Sequence, residues 1–399
     1  MRLERRYYVA IACKLLAVMV SFGVSVAVNR GLGVELKGEY AYIINIASVI
    51  CLGMAFGLGQ TYSTFLREKG EHVKFTFVAL SCIHFGVGFV GCCFLWIFQV
   101  DPFFITILAL SALAGLRANV SMIAVIENAS KRNIVELVCD ILYFVALCFL
   151  VYEDKLTVMS ALACYAFNDG LRALALALSF RLKPSLKKLR FADLTKIYKS
   201  SAVTAIVLTL IAINYSIDVV MLGWLSTNYE VGLYSVAVTL ANMLLLVPDA
   251  LKEVLFGDSA RGDSKRAVVN SIKMSWAVSA ILIVLFVLFG QHAISILYGE
   301  EYSSSYGLTV ILFLSCIPMA FFKIVQPIYI SHGLQSRMGI FLLMSGIANI
   351  VLNIILIPIF NGWGAACASI ASYSGCALLF FIDYKKRILN NRIEGGRDE

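Results

Sequence analysis

The positions of the basic residues constrain this chain more than any other feature of its sequence. Long apolar stretches are joined by short connections, and most of the 33 Lys and Arg residues lie at the termini or in every second connection. The alternate connections hold only Arg30, Lys37 and Lys155. Membrane proteins show this bias because their cytoplasmic loops carry the excess of basic residues. The pattern predicts a chain that crosses a membrane many times, with both termini in the cytoplasm.

Composition and length support a membrane protein with many spans. The chain has 399 residues, of which 60% are hydrophobic and 15% are charged, outside the usual range of soluble domains. A bilayer core of about 30 Å requires roughly 20 apolar residues per helix. The sequence accordingly predicts an all-α integral membrane protein with twelve transmembrane helices, at 7–28, 40–66, 75–98, 103–126, 134–152, 157–180, 201–225, 232–256, 268–289, 307–329, 338–360 and 364–382.

A basic connection divides the predicted spans into two groups of six. The predicted organisation is an N-terminal six-helix lobe at 1–182, a basic cytoplasmic linker at 183–200, a C-terminal six-helix lobe at 201–384 and a cytoplasmic tail at 385–399. The halves resemble each other: Leu32-Gly33 and Gly38-Glu39-Tyr40 follow the first span, and Leu222-Gly223 and Gly232-Leu233-Tyr234 follow the seventh. Because six is even, both copies have the same orientation, which predicts two pseudo-symmetric lobes.

Several function classes lack the sequence features that they require. The connections are too short for a soluble catalytic domain, no Walker motif is present, and the four His residues are scattered. All eleven Cys lie in predicted spans, without the spacing of a metal site. We therefore expect no enzyme activity, no metal and no cofactor. The net charge of +8 suits an anionic membrane lipid surface, and no nucleic-acid partner is expected.

Basic residues inside the predicted spans need a separate explanation. A central Lys or Arg facing lipid costs roughly 2.5–3.5 kcal/mol on insertion scales. One alternative is snorkelling, in which a long side chain reaches the membrane surface, and it applies best to Lys14. The functional alternative is a polar cavity whose cations face an anionic group such as phosphate. The candidates for that role are Lys14, Arg117, Arg172 and Lys323.

Acidic residues inside the spans are candidates for ion coupling. Asp169 lies one turn before Arg172, and Asp140 lies at similar depth on the preceding span, so a buried ion pair that fixes helix register is a second interpretation of Arg172. Asp218 lies one turn after Asn214 in the seventh span, and Asp249 follows Pro248 in the eighth. An acid inside a membrane is a candidate site for a proton or sodium ion, although it can also pair with a nearby base.

Short motifs throughout the chain resemble one known family. The chain is similar to the polysaccharide transporters of the multidrug/oligosaccharidyl-lipid/polysaccharide exporter superfamily, specifically the O-antigen flippases of the Wzx type. The motifs include Arg30-Gly31-Leu32-Gly33, Phe56-Gly57-Leu58-Gly59, Met221-Leu222-Gly223, the segment from Ile296 to Tyr302, Leu352-Asn353-Ile354 and Gly364-Ala365-Ala366. The resemblance implies two six-helix bundles that form a V.

The same resemblance implies a function and a set of site residues. It implies translocation of an undecaprenyl-diphosphate-linked oligosaccharide from the cytoplasmic to the periplasmic leaflet of a bacterial inner membrane, with an O-antigen polymerase and a chain-length regulator as partners. The basic residues at the matching positions are Lys14, Arg117, Arg172 and Lys323, with Arg30 at the periplasmic mouth. Coupling to H⁺ or Na⁺ is expected at Asp218, Asp140, Asp169 or Asp249.

Two alternative functions remain open at this point. A cation-coupled multidrug exporter of the same superfamily would share the fold, but it would favour acidic residues in its cavity for cationic drugs. An O-antigen polymerase also has many spans, but it would need a large periplasmic loop, and the connections of this chain are short.

Overall fold

The structure is a computed structural model and describes residues 5–70, 72–186, 191–259, 265–331 and 334–389. Within these ranges the chain is almost entirely helical and contains no β-strand, which confirms the predicted all-α class. A short 3-10 helix (Glu300–Tyr302) precedes the tenth α-helix and a π-helical segment (Tyr384–Leu389) follows the last. The α-helices are α1 (Arg5–Ala55), α2 (Leu58–Lys69), α3 (Val73–Ile97), α4 (Pro102–Tyr152), α5 (Val158–Ser179), α6 (Phe191–Leu225), α7 (Asn228–Leu244), α8 (Leu246–Ser259), α9 (Lys265–Tyr298), α10 (Ser305–Ser331) and α11 (Gln335–Asp383).

Three helices are too long to cross a membrane once. Helices α1 and α4 have 51 residues each and α11 has 49, whereas about 20 residues span a bilayer core. Each contains one residue with non-helical backbone angles: Gly33 with φ 72°, Asn128 with φ −163° and Asn361 with φ 50°. These breaks fall in three of the predicted connections. They divide each long helix into two segments, and both segments are long enough to span.

The helices account for all twelve predicted spans. Eight helical runs in the described ranges are long and apolar enough to cross a membrane. Pro102–Tyr152 and Ser336–Lys386 each contain two predicted spans, and Leu15–Lys69 contains the second span and the part of the first from Leu15 onward. A shorter apolar segment, Ser216–Leu225, belongs to the predicted seventh span. The chain is therefore a multi-pass, all-helical membrane protein.

Side-chain caps explain where several helices begin. The Asp101 side chain accepts a hydrogen bond from Phe103 N at 2.8 Å, and Pro102 occupies the first turn of α4. Thr157 and Thr227 cap α5 and α7 in the same way. Such residues satisfy backbone amides that the first helical turn leaves unpaired. Polar residues in short connections thus set the helix boundaries.

The chain forms two compact units, Met1–Ala212 and Ile213–Glu399. The division falls inside α6, so the last part of the predicted linker at 183–200 is helical and belongs to the first unit. Ile197 is buried in an apolar cluster of that unit together with Phe77 and Leu182. Tyr198 OH lies 2.9 Å from Nε2 of His84 on α3. These apolar and polar contacts explain why the segment packs as a helix.

The second predicted span is interrupted between α1 and α2. Phe56 and Gly57 adopt left-handed backbone angles, with φ 50° and 65°. A methyl group at Gly57 would lie 2.8 Å from the carbonyl oxygen of Ser201 and 2.9 Å from the backbone nitrogen of Ala205. The absence of a side chain therefore allows α6 to approach the backbone at this break.

Side chains from α3 and α4 satisfy the backbone groups that the break leaves free. Asn119 Nδ2 donates to the carbonyl of Ala55 at 3.0 Å, and Asn119 Oδ1 accepts from Gly59 N at 2.9 Å. Nδ1 of His84 lies 3.0 Å from the carbonyl of Met54. An unpaired backbone group in hydrocarbon costs several kcal/mol. The interruption is therefore a stable feature of the first unit.

Replacement of Gly57 by alanine should destabilise the protein. The new methyl group meets backbone atoms at 2.8–2.9 Å, and a non-glycine left-handed residue adds strain, so we expect a loss of about 1–3 kcal/mol. Gly53→Ala is the matched control, because its methyl group would meet no atom within 4 Å and should stabilise the helix by roughly 0.5–1 kcal/mol. Melting temperatures of the purified variants test this, and equal values for both would contradict it.

Candidate functional site

Charged residues of three helical segments meet in the first unit. On the second segment of α4, Arg132, Glu136 and Asp140 recur every four residues and therefore share one helix face. The first segment of α4 and helix α5 supply the remaining members. We call this group the arginine–carboxylate network; its members are Arg117, Arg132, Arg172, Glu136, Asp140 and Asp169.

Arg117 is held to Asp169 through one edge of its guanidinium group. Its Nε atom is buried and lies 2.8 Å from Oδ1 of Asp169. The Asp169 side chain is 3% exposed, whereas that of Arg117 is 25% exposed. Across the described ranges, no protein group hydrogen-bonds to the two Nη atoms of Arg117. This edge carries the paired N–H groups with which arginine binds carboxylate or phosphate in bidentate fashion.

Arg172 forms an ion pair with Asp140 on the neighbouring span. Nη2 of Arg172 contacts Oδ1 of Asp140, which also accepts a long hydrogen bond of 3.4 Å from Asn168 Nδ2. The ion-pair interpretation of Arg172 is therefore observed, with Asp140 as the partner. Asp169, one turn before Arg172, pairs with Arg117 instead.

Arg132 and Glu136 extend the network towards the break at Asn128. Arg132 Nη2 lies 2.6 Å from Glu136 Oε2. Ser121 connects the two residues, because its Oγ donates to Glu136 Oε1 at 2.7 Å and accepts from Arg132 Nε at 3.0 Å. Sequence reasoning missed this pair because Arg132 was assigned to a connection. The four-residue spacing from Arg132 to Asp140 is the signal that identifies it.

The arginines form the accessible side of the network. The Arg117 side chain is 25% exposed and that of its partner Asp169 is 3% exposed. The corresponding values are 27% and 11% for Arg132 and Glu136, and 19% and 16% for Arg172 and Asp140. Three cations and three carboxylates make the network neutral as a whole. The arginine side chains are thus more exposed than those of their acids, with little difference for Arg172 and Asp140, and the network carries no net charge.

The remaining basic candidates have different surroundings. The side chain of Lys14 lies outside the described residues. Arg30 is exposed and lies three residues before the break at Gly33. In the second unit, Lys323 Nζ contacts both carboxylate oxygens of Asp249, at 2.8 and 2.7 Å. Lys323 is 11% exposed and Asp249 is 38% exposed, so the acid is the accessible partner here.

Asp218 lies in a polar cluster in the interior of the second unit. It is buried and accepts hydrogen bonds from Asn353 Nδ2 at 2.7 Å, from Ser369 Oγ, and from Tyr234 OH at 3.3 Å. These partners lie on α7 and on both segments of α11. Asn353 also donates to Oδ1 of Asn349 at 3.0 Å. The side chain of Asn214, predicted to accompany Asp218, lies outside the described residues.

Two further features distinguish Asp218 from the other acids. Among the residues that the structure describes, no Lys or Arg forms an ion pair with it. A cavity of about 40 Å³ adjoins it and is lined by Tyr234, Ser315, Ser369 and Tyr373, among others. A space of this size admits a water molecule or a small ion. A buried carboxylate can take up a proton, and the oxygen atoms around it are the ligands that a hard cation prefers.

Sequence reasoning found Asp218 but missed its partners. Tyr234 and Asn353 belong to motifs that carried the family resemblance, yet nothing in their spacing connected them to Asp218. Ser369 lies 151 residues further along the chain, in the last predicted span. A serine or asparagine among apolar residues of a span is the only local signal, and such residues commonly serve helix packing alone.

The fold of the chain resembles those of solved membrane transporters. It resembles the structure of the lipid II flippase MurJ in an inward closed conformation (TM-score 0.72, 12% identity, 94% of this chain and 87% of that chain covered). It also resembles an inward-facing multidrug resistance MATE family transporter of the MOP superfamily (TM-score 0.66, 13% identity, coverage 96% and 98%). At these identities the likeness concerns the fold alone.

The sequence itself identifies the family. Residues 5–248 match the family described as polysaccharide biosynthesis protein, and the chain belongs to that family. A search of curated protein sequences found no match.

The hydrogen bonds of Asp218 should appear as an energetic coupling. Asn353→Ala removes a donor from a buried carboxylate, so we expect a loss of about 1–3 kcal/mol. Combined with Asp218→Asn, the two effects should deviate from additivity by roughly 0.5–3 kcal/mol, as for residues in direct contact. Cys367→Ala, at an exposed position of α11, is the control and should be additive with Asp218→Asn. Denaturation in detergent measures these values; additivity for Asn353 would contradict the contact.

Proposed function

We propose that this protein flips an undecaprenyl-diphosphate-linked oligosaccharide, an O-antigen or related polysaccharide repeat unit, from the cytoplasmic to the periplasmic leaflet of a bacterial inner membrane. The family of polysaccharide biosynthesis proteins supports the substrate class. The observation that carries the proposal is the open Nη edge of Arg117, at mid-span in the fourth predicted helix. A diphosphate is the part of such a lipid that an arginine recognises.

The physical problem is the passage of sugar and diphosphate through hydrocarbon. A hydroxyl group without a hydrogen-bond partner costs several kcal/mol in an apolar medium. Alternating access through a polar path removes most of this cost, while the polyprenyl tail stays in the bilayer. The membrane potential, negative inside, favours outward movement of an anionic head group by about 2.3 kcal/mol per charge per 100 mV.

In this proposal Arg117 binds the diphosphate and Asp169 holds Arg117 in position. Asp169 is buried and contacts the inner Nε edge of Arg117, so it fixes the orientation of the guanidinium plane. The Nη edge then faces the diphosphate with its two N–H groups in a defined direction. Arg172, with lower exposure, supplies a second cation to the same head group. Lys323 contributes less in this proposal, because both oxygens of Asp249 already bind its ammonium group.

We propose Asp218 as the residue that couples transport to H⁺ or Na⁺. It is the buried acid without a basic partner in the described ranges, it is surrounded by oxygen-bearing side chains, and a small cavity adjoins it. Asp140, Asp169 and Asp249 are weaker candidates because each forms an ion pair. A cation at Asp218 would neutralise its charge and stabilise one conformational state over another.

The alternative exporter function fits the arrangement of charges less well. A multidrug exporter for cationic compounds needs accessible carboxylates, whereas the arginines of the network are the more exposed partners. An O-antigen polymerase needs a large extramembrane catalytic loop, and the helices in the described part of the chain are joined by short turns.

Substitution of Arg117 tests the proposed site. Charge-assisted hydrogen bonds contribute about 1.5–3 kcal/mol each, so Arg117→Ala should weaken binding at least ten-fold and strongly reduce surface polysaccharide. Arg117→Lys should recover only part of this, because lysine cannot bind in bidentate fashion. The assay is surface glycan in a strain without the native gene, at matched protein level. Lys155→Ala, in an exposed connection, is the control. Full glycan production by Arg117→Ala would reject Arg117 as a ligand.

Substitution of Asp218 tests the proposed coupling. In proteoliposomes with an imposed H⁺ or Na⁺ gradient, the wild type should flip its substrate faster in response to one of the two ions. Asp218→Asn should lose this response, because a neutral amide cannot exchange a proton or balance a cation. Asp249→Asn, whose acid is paired with Lys323, should keep it. A gradient response of Asp218→Asn equal to that of the wild type would exclude this residue.

A further inference from the structure

The ion pair between Arg172 and Asp140 differs from that between Arg117 and Asp169 in one important respect. Asp169 contacts the inner Nε edge of its arginine and is itself 3% exposed. Asp140 contacts Nη2 of Arg172, part of the edge that a phosphate would use, and is 16% exposed. A phosphate can therefore bind the Nη edge of Arg117 while Asp169 stays in place, whereas on Arg172 it competes with Asp140 for Nη2.

An empty transporter of this kind faces an electrostatic problem. After the anionic head group has left, the arginines must pass through the return step without their ligand. An uncompensated charge in a membrane interior costs several kcal/mol. The described network is neutral without any ligand, because three carboxylates balance its three arginines. The chain thus carries its own counter-anions for the empty state.

We propose that Asp140 is an exchangeable counter-anion that occupies Arg172 in the empty state and yields it to a phosphate oxygen of the ligand. This inference rests on the proposed function and adds a role for one residue in its cycle. Asp140 leaves the arginine when the diphosphate binds, and it returns when the diphosphate is released. Asp169 keeps its contact throughout and acts as a positioning residue for Arg117.

The surroundings of Asp140 support this exchange. Oδ1 of Asp140 is shared between Arg172 and the Nδ2 group of Asn168, so the carboxylate keeps one donor after it leaves the arginine. Asn168 is buried, and its own Oδ1 has no hydrogen-bond partner in the described structure. Nε of Arg172 is also buried without a hydrogen bond. A buried polar atom without a partner calls for an explanation, and a partner acquired in another state of the cycle is the one that this proposal supplies.

The exchange also keeps the affinity for the diphosphate low enough for its release. A carrier must bind its ligand on one side and release it on the other, so very tight binding slows the cycle. Competition from Asp140 lowers the net gain from each phosphate–Arg172 contact and accelerates release. Removal of the competing charge should therefore increase affinity and reduce turnover, a combination that a purely structural ion pair does not produce.

The test compares binding and turnover in the full-length protein in nanodiscs and proteoliposomes. Farnesyl diphosphate, a diphosphate on a short isoprenoid chain, serves as the binding probe in calorimetry. Asp140→Asn should bind it roughly ten-fold more tightly, as expected for one charge-assisted contact freed from competition, and should flip lipid-linked substrate several-fold more slowly. Asp169→Asn should bind more weakly, because Arg117 loses its orientation. Asp154→Asn, at an exposed turn, should match the wild type in both measurements.

A second variant covers the case in which an uncompensated Arg172 prevents folding. Asp140→Asn combined with Arg172→Gln removes the ion pair without leaving a buried charge, and it should bind farnesyl diphosphate more weakly than the wild type. Unchanged or weaker binding by a folded Asp140→Asn, or wild-type affinity of the double variant, would overturn this inference alone. A wild-type protein that binds no diphosphate would overturn the proposed function as well.

Discussion

The requirement that every polar group be paired in hydrocarbon determines most of this structure. Water does not satisfy backbone or side-chain groups inside a bilayer, so the protein must supply their partners. Asn119 and His84 do so at the interruption of the second span. The arginine–carboxylate network gives each guanidinium group one carboxylate partner, and Asn353 and Ser369 donate hydrogen bonds to Asp218. Each polar cluster is therefore fixed by partners from several helices.

The two units satisfy this requirement in different ways, and the difference suggests a division of function. The first unit balances cations with carboxylates and leaves its arginines as the accessible groups. The second unit contains an acid whose partners among the described residues are neutral donors, with a small cavity beside it. An anionic head group suits the first arrangement, and a proton or small cation suits the second. Under the proposed function, the ligand and the coupling ion would bind to separate compact units of one chain.

Most of the fold follows from the sequence, whereas the partners within the sites do not. Hydrophobic length and charge asymmetry locate the spans because the bilayer imposes both. The breaks at Gly33, Asn128 and Asn361 fall where polar or small residues interrupt apolar stretches. The ion pair between Arg172 and Asp140 was predictable, because the two residues lie at similar depth on adjacent spans, which pack together. Asp218 and Ser369 are far apart in the chain, and only the three-dimensional packing of the second unit brings them together.

The central claim is that Arg117 binds a diphosphate through its free Nη edge. A high-resolution cryo-electron microscopy map of the protein in nanodiscs with a polyprenyl-diphosphate-linked oligosaccharide tests it most directly. We expect phosphate density within hydrogen-bond distance, about 2.7–3.0 Å, of the Arg117 Nη atoms, with the Asp169 contact retained. Phosphate density elsewhere, with Arg117 unchanged beside Asp169, would contradict the claim.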